Sequence, residues 1–216
     1  MQAGFWQEIE ERRSRWNVLA HPFCARWAVG ELAPGELAIY ASEFEHGVMA
    51  IANASTRAAG MEGGDSARVA QLEAVHVSSW RAFAKATGWG GWNAWGYGEE
   101  PLPETESCAR VWEGDESRTL AEHLLTLSAI DDAQRAISEV MLNGLLRHYG
   151  FEDGPATEYF RLRAGADSEP SRPHLEQCGA DLDPELLIEQ AEVVHRSYWL
   201  LLDGVESYAR RTCPSY

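Results

Sequence analysis

The sequence has few basic residues and no long apolar run. Its 18 lysines and arginines stand against 34 aspartates and glutamates, for a formal net charge of −16. This charge repels phosphate backbones and anionic lipid, so nucleic acids and membrane surfaces are not expected as partners. No stretch reaches the roughly eighteen successive apolar residues of a membrane span, and the N-terminus does not resemble a signal sequence. We therefore expect a cytoplasmic protein whose partners are small molecules or other proteins.

Cysteines are also scarce and widely spaced. The four are Cys24, Cys108, Cys178 and Cys213, and no two form a CxxC pair. This spacing matches neither a zinc knuckle nor a disulfide framework. It indicates a reducing compartment.

An alternating strand pattern is missing as well, whereas apolar residues recur at intervals of three and four. This period predicts an all-α fold. The 216 residues, 45% of them hydrophobic, are enough for one domain over 1–216 with a single core. The helices are predicted at about 3–18, 21–30, 34–60, 65–88, 104–113, 116–148, 153–167 and 183–210.

Two segments interrupt this periodicity. The run from Gly88 to Pro103 combines many glycines with Trp89, Trp92 and Trp95. Its tryptophans either cap one end of a helical bundle or form a flap on glycine hinges that covers an organic ligand. The second segment, Ser168 to Cys178, contains two prolines that end the preceding helix.

Several motifs occur in an order and spacing that resemble the haem-oxygenase-like superfamily, in particular its branch of TenA (thiaminase II), PqqC and the haem-oxygenase-like di-iron oxidases. They span nearly the whole chain and include HPF at 21–23, EAVHVSSW at 73–80, GLLRHYGF at 144–151, ATEYF at 156–160 and YWLLLDGVE at 198–206. The resemblance implies a single bundle of about seven to eight helices. It also implies a homo-oligomer, with a dimer as the favoured state, and a role in specialised biosynthesis.

In the di-iron members of this family, two successive helices supply carboxylates and a histidine. The resemblance places that histidine at His76 and the middle carboxylate at Asp131, where the family usually has glutamate. The accompanying glutamate is Glu73 if it lies one turn before His76. If it lies two turns before, the position is Val69, which cannot bind a metal.

The third part of the family pattern is His-x3-Asp-x2-His, which falls on Arg163, Asp167 and Pro170. Both histidines are therefore replaced. His174 follows Asp167 by seven residues and is a possible substitute ligand, but the prolines between them oppose a regular two-turn spacing.

These replacements predict that the chain holds no metal. A di-iron centre needs roughly six protein ligands, whereas at most four remain here. Arginine has no lone pair and carries a permanent charge, so Arg163 would repel metal cations. We expect it instead to neutralise Asp131 or Asp167. No cofactor is predicted, and a di-iron centre is kept as the alternative.

His76 and Asp131, which the resemblance assigns to the metal site, can also be interpreted as structural residues. His76 shares a helical face with apolar residues, and a lone histidine in such a setting is more often part of the core. Asp131 and its neighbour Asp132 would form a solvated turn if the helix were broken there. Long apolar stretches on both sides favour one continuous helix with Asp131 facing inward, which would require a charged partner.

A second set of positions is expected to line a substrate cavity, because the resemblance places acidic and tyrosine side chains there. The set consists of Tyr40, Glu43, Met141, Tyr159 and Tyr198. Many di-iron relatives have lysine at the position of Met141, so an apolar residue there suggests an altered pocket. Ordinary amphipathic packing is the competing interpretation for the tyrosines and for Glu43.

Three functions follow from these residues. The first is a metal-independent enzyme that acts on a small, carboxylate-bearing substrate in a central bundle cavity, with His76 as acid/base, Asp131 or Glu73 as its partner, and Arg163 as the anion anchor beside Asp167. The second is a non-haem di-iron oxidase or oxygenase with a rebuilt ligand set. The third is a bundle without catalytic activity that binds a ligand or a partner.

Overall fold

A computed structural model describes residues 3–88, 100–165, 175, 177–178 and 183–212. Within these residues the chain is all-helical, which confirms the predicted fold class. Eight α-helices and a 3-10 turn at Val18–Ala20 have both ends within the described residues. The helices are α1 (Ala3–Arg15), α2 (Pro22–Val29), α3 (Pro34–Met61), α4 (Ser66–Ala86), α5 (Pro103–Glu113), α6 (Leu120–His148), α7 (Glu158–Gly165) and α8 (Pro184–Thr212).

Side-chain caps explain where two of these helices begin later than the periodicity suggested. Helix α6 begins at Leu120 because Thr119 forms a capping box, in which Glu122 N donates to Thr119 Oγ1 and Thr119 N donates to Glu122 Oε2. Before α7, Gly154 N donates to Thr157 Oγ1 at 3.1 Å, which holds residues 152–157 in a turn. The long apolar period of each helix was therefore predicted well, whereas its first turn depends on these local hydrogen bonds.

Helix α3 forms the centre of the bundle and packs against α4, α5, α6 and α8. Most of its first half is buried, including Tyr40 and Phe44. Their rings belong to a continuous aromatic cluster with Trp27 of α2 and Trp80 of α4, in which neighbouring ring centroids lie 5.0–5.8 Å apart. Such spacing is typical of favourable offset and edge-to-face aromatic pairs.

Helix α6 packs against α7 on one side and against α8 on another, and each of these contacts borders a group of polar side chains. On one side it packs against α7, which in turn packs against α4, so Asp131, Arg163 and Glu73 approach one another. On another side it packs against α8, and α1 packs on α8 beside it. None of the described helices is both long and apolar enough to cross a membrane.

Several positions named from the sequence lie outside the described residues. They are Trp89, Trp92, Trp95, Asp167, Pro170, Pro173, His174 and Cys213. The other three cysteines, Cys24, Cys108 and Cys178, are free thiols within the described residues.

Candidate functional site

A histidine and a glutamate on α4 form the first part of the candidate site. Glu73 and His76 lie one turn apart, and His76 Nδ1 is 3.0 Å from Glu73 Oε2. An ionised carboxylate only accepts hydrogen bonds, so Nδ1 carries the proton and Nε2 is left as a base when the ring is neutral. Their side chains are 23% and 15% exposed, respectively, so the pair lies near the surface without being fully solvated.

Arg163 of α7 is the charged partner of this pair. Helix α7 buries one face through Tyr159, Phe160 and Arg163, and the arginine side chain is only 8% exposed. Its Nη1 donates to Asp131 Oδ1 at 3.3 Å, and its Nη2 lies 3.8 Å from Glu73 Oε2. The guanidinium therefore lies between two carboxylates from α4 and α6.

This geometry accounts for the charge states of the cluster. Burial alone would raise the pKa of Glu73, but the hydrogen bond from His76 and the charge of Arg163 bring it below its usual value. The pKa of Asp131 is raised by desolvation, against the opposing effect of Arg163. Burial would lower the pKa of Arg163, but Tyr159, Asp131 and Glu73 more than compensate and raise it. Arg163 remains a cation at all physiological pH values.

The ring of Tyr159 packs against the guanidinium of Arg163, within the cluster of Glu73, His76, Asp131 and Arg163. This ring lies below the guanidinium of Arg163, with 5.8 Å between the guanidinium carbon and the ring centroid, and packs edge-on against Trp80 at 4.8 Å. Burial raises the pKa of the Tyr159 hydroxyl, while the charge of Arg163 opposes that rise. The face of a buried aromatic ring stabilises a desolvated guanidinium, so Tyr159 helps to hold Arg163 in place.

Asp131 differs from its expected setting. It lies within the continuous helix α6, as predicted, but its side chain is 47% exposed. It therefore stands at the rim of the cluster, where Arg163 reaches it from the protein side. Asp167, the remaining predicted catalytic residue, lies outside the described residues.

Three of the five predicted substrate-binding residues meet at the bundle centre. The hydroxyls of Tyr40 and Tyr198 are 2.9 Å apart, and Tyr40 Oη lies 3.7 Å from Met141 Sδ. Burial raises the pKa of both tyrosines well above its ordinary value, so both stay neutral. The pair crosses from α3 to α8 and is enclosed by aromatic rings, an arrangement that fits the packing interpretation as well as the predicted one.

Glu43 lies apart from both groups. Its side chain is buried and accepts a hydrogen bond from Leu102 N at 3.0 Å, where the chain enters α5. Burial raises the pKa of Glu43, against the effect of the hydrogen bond from Leu102 N. The geometry thus gives Glu43 a role in fastening the start of α5 to α3.

A cavity of about 200 Å³ lies where α1, the 3-10 turn, α6 and α8 meet. Tyr198 is the one predicted site residue that lines it. Gln134 and His195 also line the cavity, although no sequence motif indicates them as site residues. No local spacing signals this cavity, because its walls come from four separate parts of the chain.

The sequence is similar to a 4-aminobenzoate synthase from Nitrosomonas europaea. The two chains share 25% identity over 228 aligned positions, which cover 94% of this chain and 92% of that protein. At this identity the two proteins are distant homologues. No model of a known protein family matches the sequence.

The described side chains do not fit the di-iron centre that the family resemblance implies. Among these residues, no three histidine, cysteine, aspartate or glutamate side chains are grouped so that they could hold a metal ion. Between Glu73 and Asp131, where such an ion would have to lie, the structure has the guanidinium of Arg163. The guanidinium already occupies the space between the two carboxylates, so a metal there would have to displace Arg163.

Proposed function

We propose that this protein is a biosynthetic enzyme that transforms a small organic carboxylate by metal-independent acid/base chemistry. The reacting groups are those of the cluster formed by Glu73, His76, Asp131 and Arg163. Asp167, which the family resemblance assigns to the same site and which lies outside the described residues, belongs to the same proposal. Arg163, fixed between the two carboxylates, is the observation that carries it.

His76 is the proton-transferring group in this proposal. Its hydrogen bond to Glu73 fixes the ring orientation and leaves Nε2 as the base. Glu73 then stabilises the imidazolium that forms when Nε2 takes a proton. Because the pKa of Glu73 is held low, the glutamate stays ionised and does not compete for that proton.

Arg163 is the proposed anion anchor. The Nε and Nη2 groups of the guanidinium form no hydrogen bond within the described part of the chain, although Nη2 is near Glu73. These groups can therefore donate to a substrate carboxylate or to an oxyanion that develops beside His76. The exposed side of Asp131 offers a route by which a substrate reaches the cluster.

The distant similarity to a 4-aminobenzoate synthase supports biosynthesis as the setting. That protein's name describes an aromatic ring with one carboxylate, which is the kind of group that a buried arginine recognises. We infer that the substrate or product here is a small organic acid of comparable size.

The test combines metal loading with a search for turnover. The purified protein is incubated with ferrous iron without oxygen, desalted and analysed for iron. It is then incubated with an extract of small metabolites in the presence of a chelator, and changes are followed by mass spectrometry, including any 4-aminobenzoate. His76→Gln is compared with the matched variant His148→Gln, since His148 is exposed on α6 and away from the cluster.

We expect background iron, together with turnover that the chelator leaves intact. That turnover should be lost in His76→Gln and retained in His148→Gln. About two irons per chain, with turnover that depends on them, would contradict the proposal and support a di-iron oxidase with a rebuilt ligand set. Saturable binding without turnover would also contradict it and would indicate a ligand-binding bundle.

A further inference from the structure

The cavity between α1, α6 and α8 is separate from the charged cluster. Helix α6 contributes to both, with Asp131 directed to Arg163 and its neighbours Ile130 and Asp132 lining the cavity. The cavity volume of about 200 Å³ exceeds the roughly 150 Å³ that suffices to hold a benzene ring in a protein interior. A single-ring molecule therefore fits the cavity.

The cavity walls are mainly apolar and aromatic. They include residues from the 3-10 turn and from all the surrounding helices, among them Trp16, Val18, Trp112, Ile130, Ile137 and Val194. Trp112 and Val194 are almost fully buried. Contact with such walls favours a flat hydrocarbon ring.

Several polar side chains also line the cavity, and two of them are buried. The residues Gln134 and His195 are buried, and their Nε2 atoms form no hydrogen bond within the described part of the chain. A buried N–H without a partner is unfavourable, and a ligand oxygen that accepts a hydrogen bond from it recovers part of that cost. Burial lowers the pKa of His195 to about 4, and the charge of Arg13 acts in the same direction, so the ring is neutral at pH 7.

The charges around the cavity do not favour an anion. Among the described residues that line the cavity, Arg13 is the only arginine or lysine, and its Nη2 lies 2.7 Å from Glu10 Oε1. Its Nη1 donates to the backbone oxygen of Asp132 at 3.2 Å. The carboxylates of Glu10 and Asp132 outnumber this one cation, so a carboxylate ligand would meet a net negative rim.

We propose that this cavity is a binding site for an uncharged molecule of about one aromatic ring that carries a carbonyl or hydroxyl oxygen. Gln134 and His195 supply the polar contacts to that oxygen, and the aromatic and aliphatic walls hold the ring. The site does not depend on the function proposed for the Arg163 cluster, because the two share no side chain and select ligands of different charge.

Calorimetric titration of the purified full chain with three probes tests this site. Benzamide carries the ring and a neutral carbonyl, toluene carries the ring alone, and benzoate is the charged analogue. We expect saturable benzamide binding, with benzoate at least about tenfold weaker at this site. Benzoate is also a ligand for the Arg163 cluster in the proposed function, so its titration is repeated in Arg163→Leu to separate the two sites.

Three variants locate the binding. Gln134→Leu should weaken benzamide about tenfold and leave toluene unchanged or tighter, because it removes only the polar contact. Ala133→Phe places a ring in the cavity and should abolish binding of both neutral probes. Glu73→Gln, in the other site, should leave benzamide binding unaltered.

The proposal is wrong if wild-type protein binds no benzamide at millimolar concentration. Equal benzamide affinity in wild type, Gln134→Leu and Ala133→Phe would also overturn it. If Ala133→Phe does not fold, the ratio of benzamide to toluene affinity in Gln134→Leu still decides the outcome. A ratio equal to that of wild type would rule out Gln134 as the polar contact.

Discussion

The indole of Trp27 lies directly over Gly144, so closely that a Cβ on Gly144 would be 2.7 Å from Trp27 Cδ1 and 3.0 Å from Trp27 O. The indole Nε1 donates to Met141 O on the same helix at 3.0 Å. Helices α2 and α6 can approach this closely only because residue 144 has no side chain. The contact positions Met141 beneath the Tyr40–Tyr198 pair.

We expect Gly144→Ala to destabilise the protein by about 1–3 kcal/mol, since Trp27 and its backbone cannot both withdraw. Gly60→Ala is the matched control, because Gly60 also lies within a helix and a Cβ there meets only Ser66 Oγ at 3.7 Å. That change should be neutral or slightly stabilising. Urea denaturation of both variants measures the difference, and equal effects would contradict the packing argument.

Replacing Arg163 with leucine should cost about 3 kcal/mol at pH 7, because Glu73 and Asp131 are then left without their cation. The pKa of Glu73 is held below its usual value in the folded protein. The ionised Glu73 carboxylate therefore contributes to the free energy of unfolding. This contribution is complete above the pKa of glutamate in the unfolded chain, and it is lost as the pH falls through the pKa of Glu73 in the folded protein. The difference in free energy of unfolding between wild type and Arg163→Leu should therefore become smaller below about pH 4.5.

A series of denaturation curves from pH 7 to pH 3 measures this difference. Arg81→Leu serves as control, since it removes an exposed ion pair with Glu45 at 2.8 Å. Its cost should stay below about 1 kcal/mol. If Arg163→Leu costs no more than the control at pH 7, the cluster is not held together by this charge.

His195 should make the fold sensitive to mild acid. Its pKa of about 4 in the folded protein lies below that of an unfolded histidine, so the unfolded chain binds more protons as the pH falls. From this residue alone, stability should drop by about 2 kcal/mol between pH 7.5 and pH 5. His195→Asn should lose correspondingly less over the same range. Parallel pH profiles for the two proteins would show that His195 does not titrate as inferred.

The hydroxyl pair of Tyr40 and Tyr198 should show strong coupling. Removing one hydroxyl by Tyr40→Phe leaves the other buried without its 2.9 Å partner, at a cost of about 1–2 kcal/mol. Tyr198→Phe should cost a similar amount. The double variant should be less destabilised than the sum of the two, because no unpaired hydroxyl remains. A double-mutant cycle in urea measures this coupling, and additive costs would mean that the hydroxyls do not stabilise each other.

The helices were predictable because their apolar periods are long and uninterrupted, as in α3, α6 and α8. The starts of α3 and α8 were also predicted to within one residue, whereas the start of α6 was not, because the Thr119 cap acts through single hydrogen bonds. An ion pair of Arg163 with Asp131 or Asp167 was expected, because a buried aspartate needs a charged partner, and the structure has the pair with Asp131. The exposure of Asp131 was not expected. The apolar residues of α6 recur at the same intervals whether Asp131 faces the core or lies at the edge of the cluster, so the sequence pattern does not distinguish the two.

The cavity could not be predicted from the sequence, for a different reason. Gln134 and His195 look like ordinary polar residues on amphipathic helices until the tertiary arrangement buries them together. Glu43 was named as a possible substrate-binding residue, which stays a prediction, and the structure adds a hydrogen bond from Leu102 N that fastens the start of α5.

The positive charge between Glu73 and Asp131 belongs to the polypeptide itself. Folding alone therefore supplies it, in a fixed amount of one charge per chain. It cannot be stripped by a siderophore, exchanged for zinc or manganese, or altered by oxidation. In the metal-independent enzyme proposed above, the electrostatics of this cluster should accordingly be the same in iron-starved and iron-replete cells.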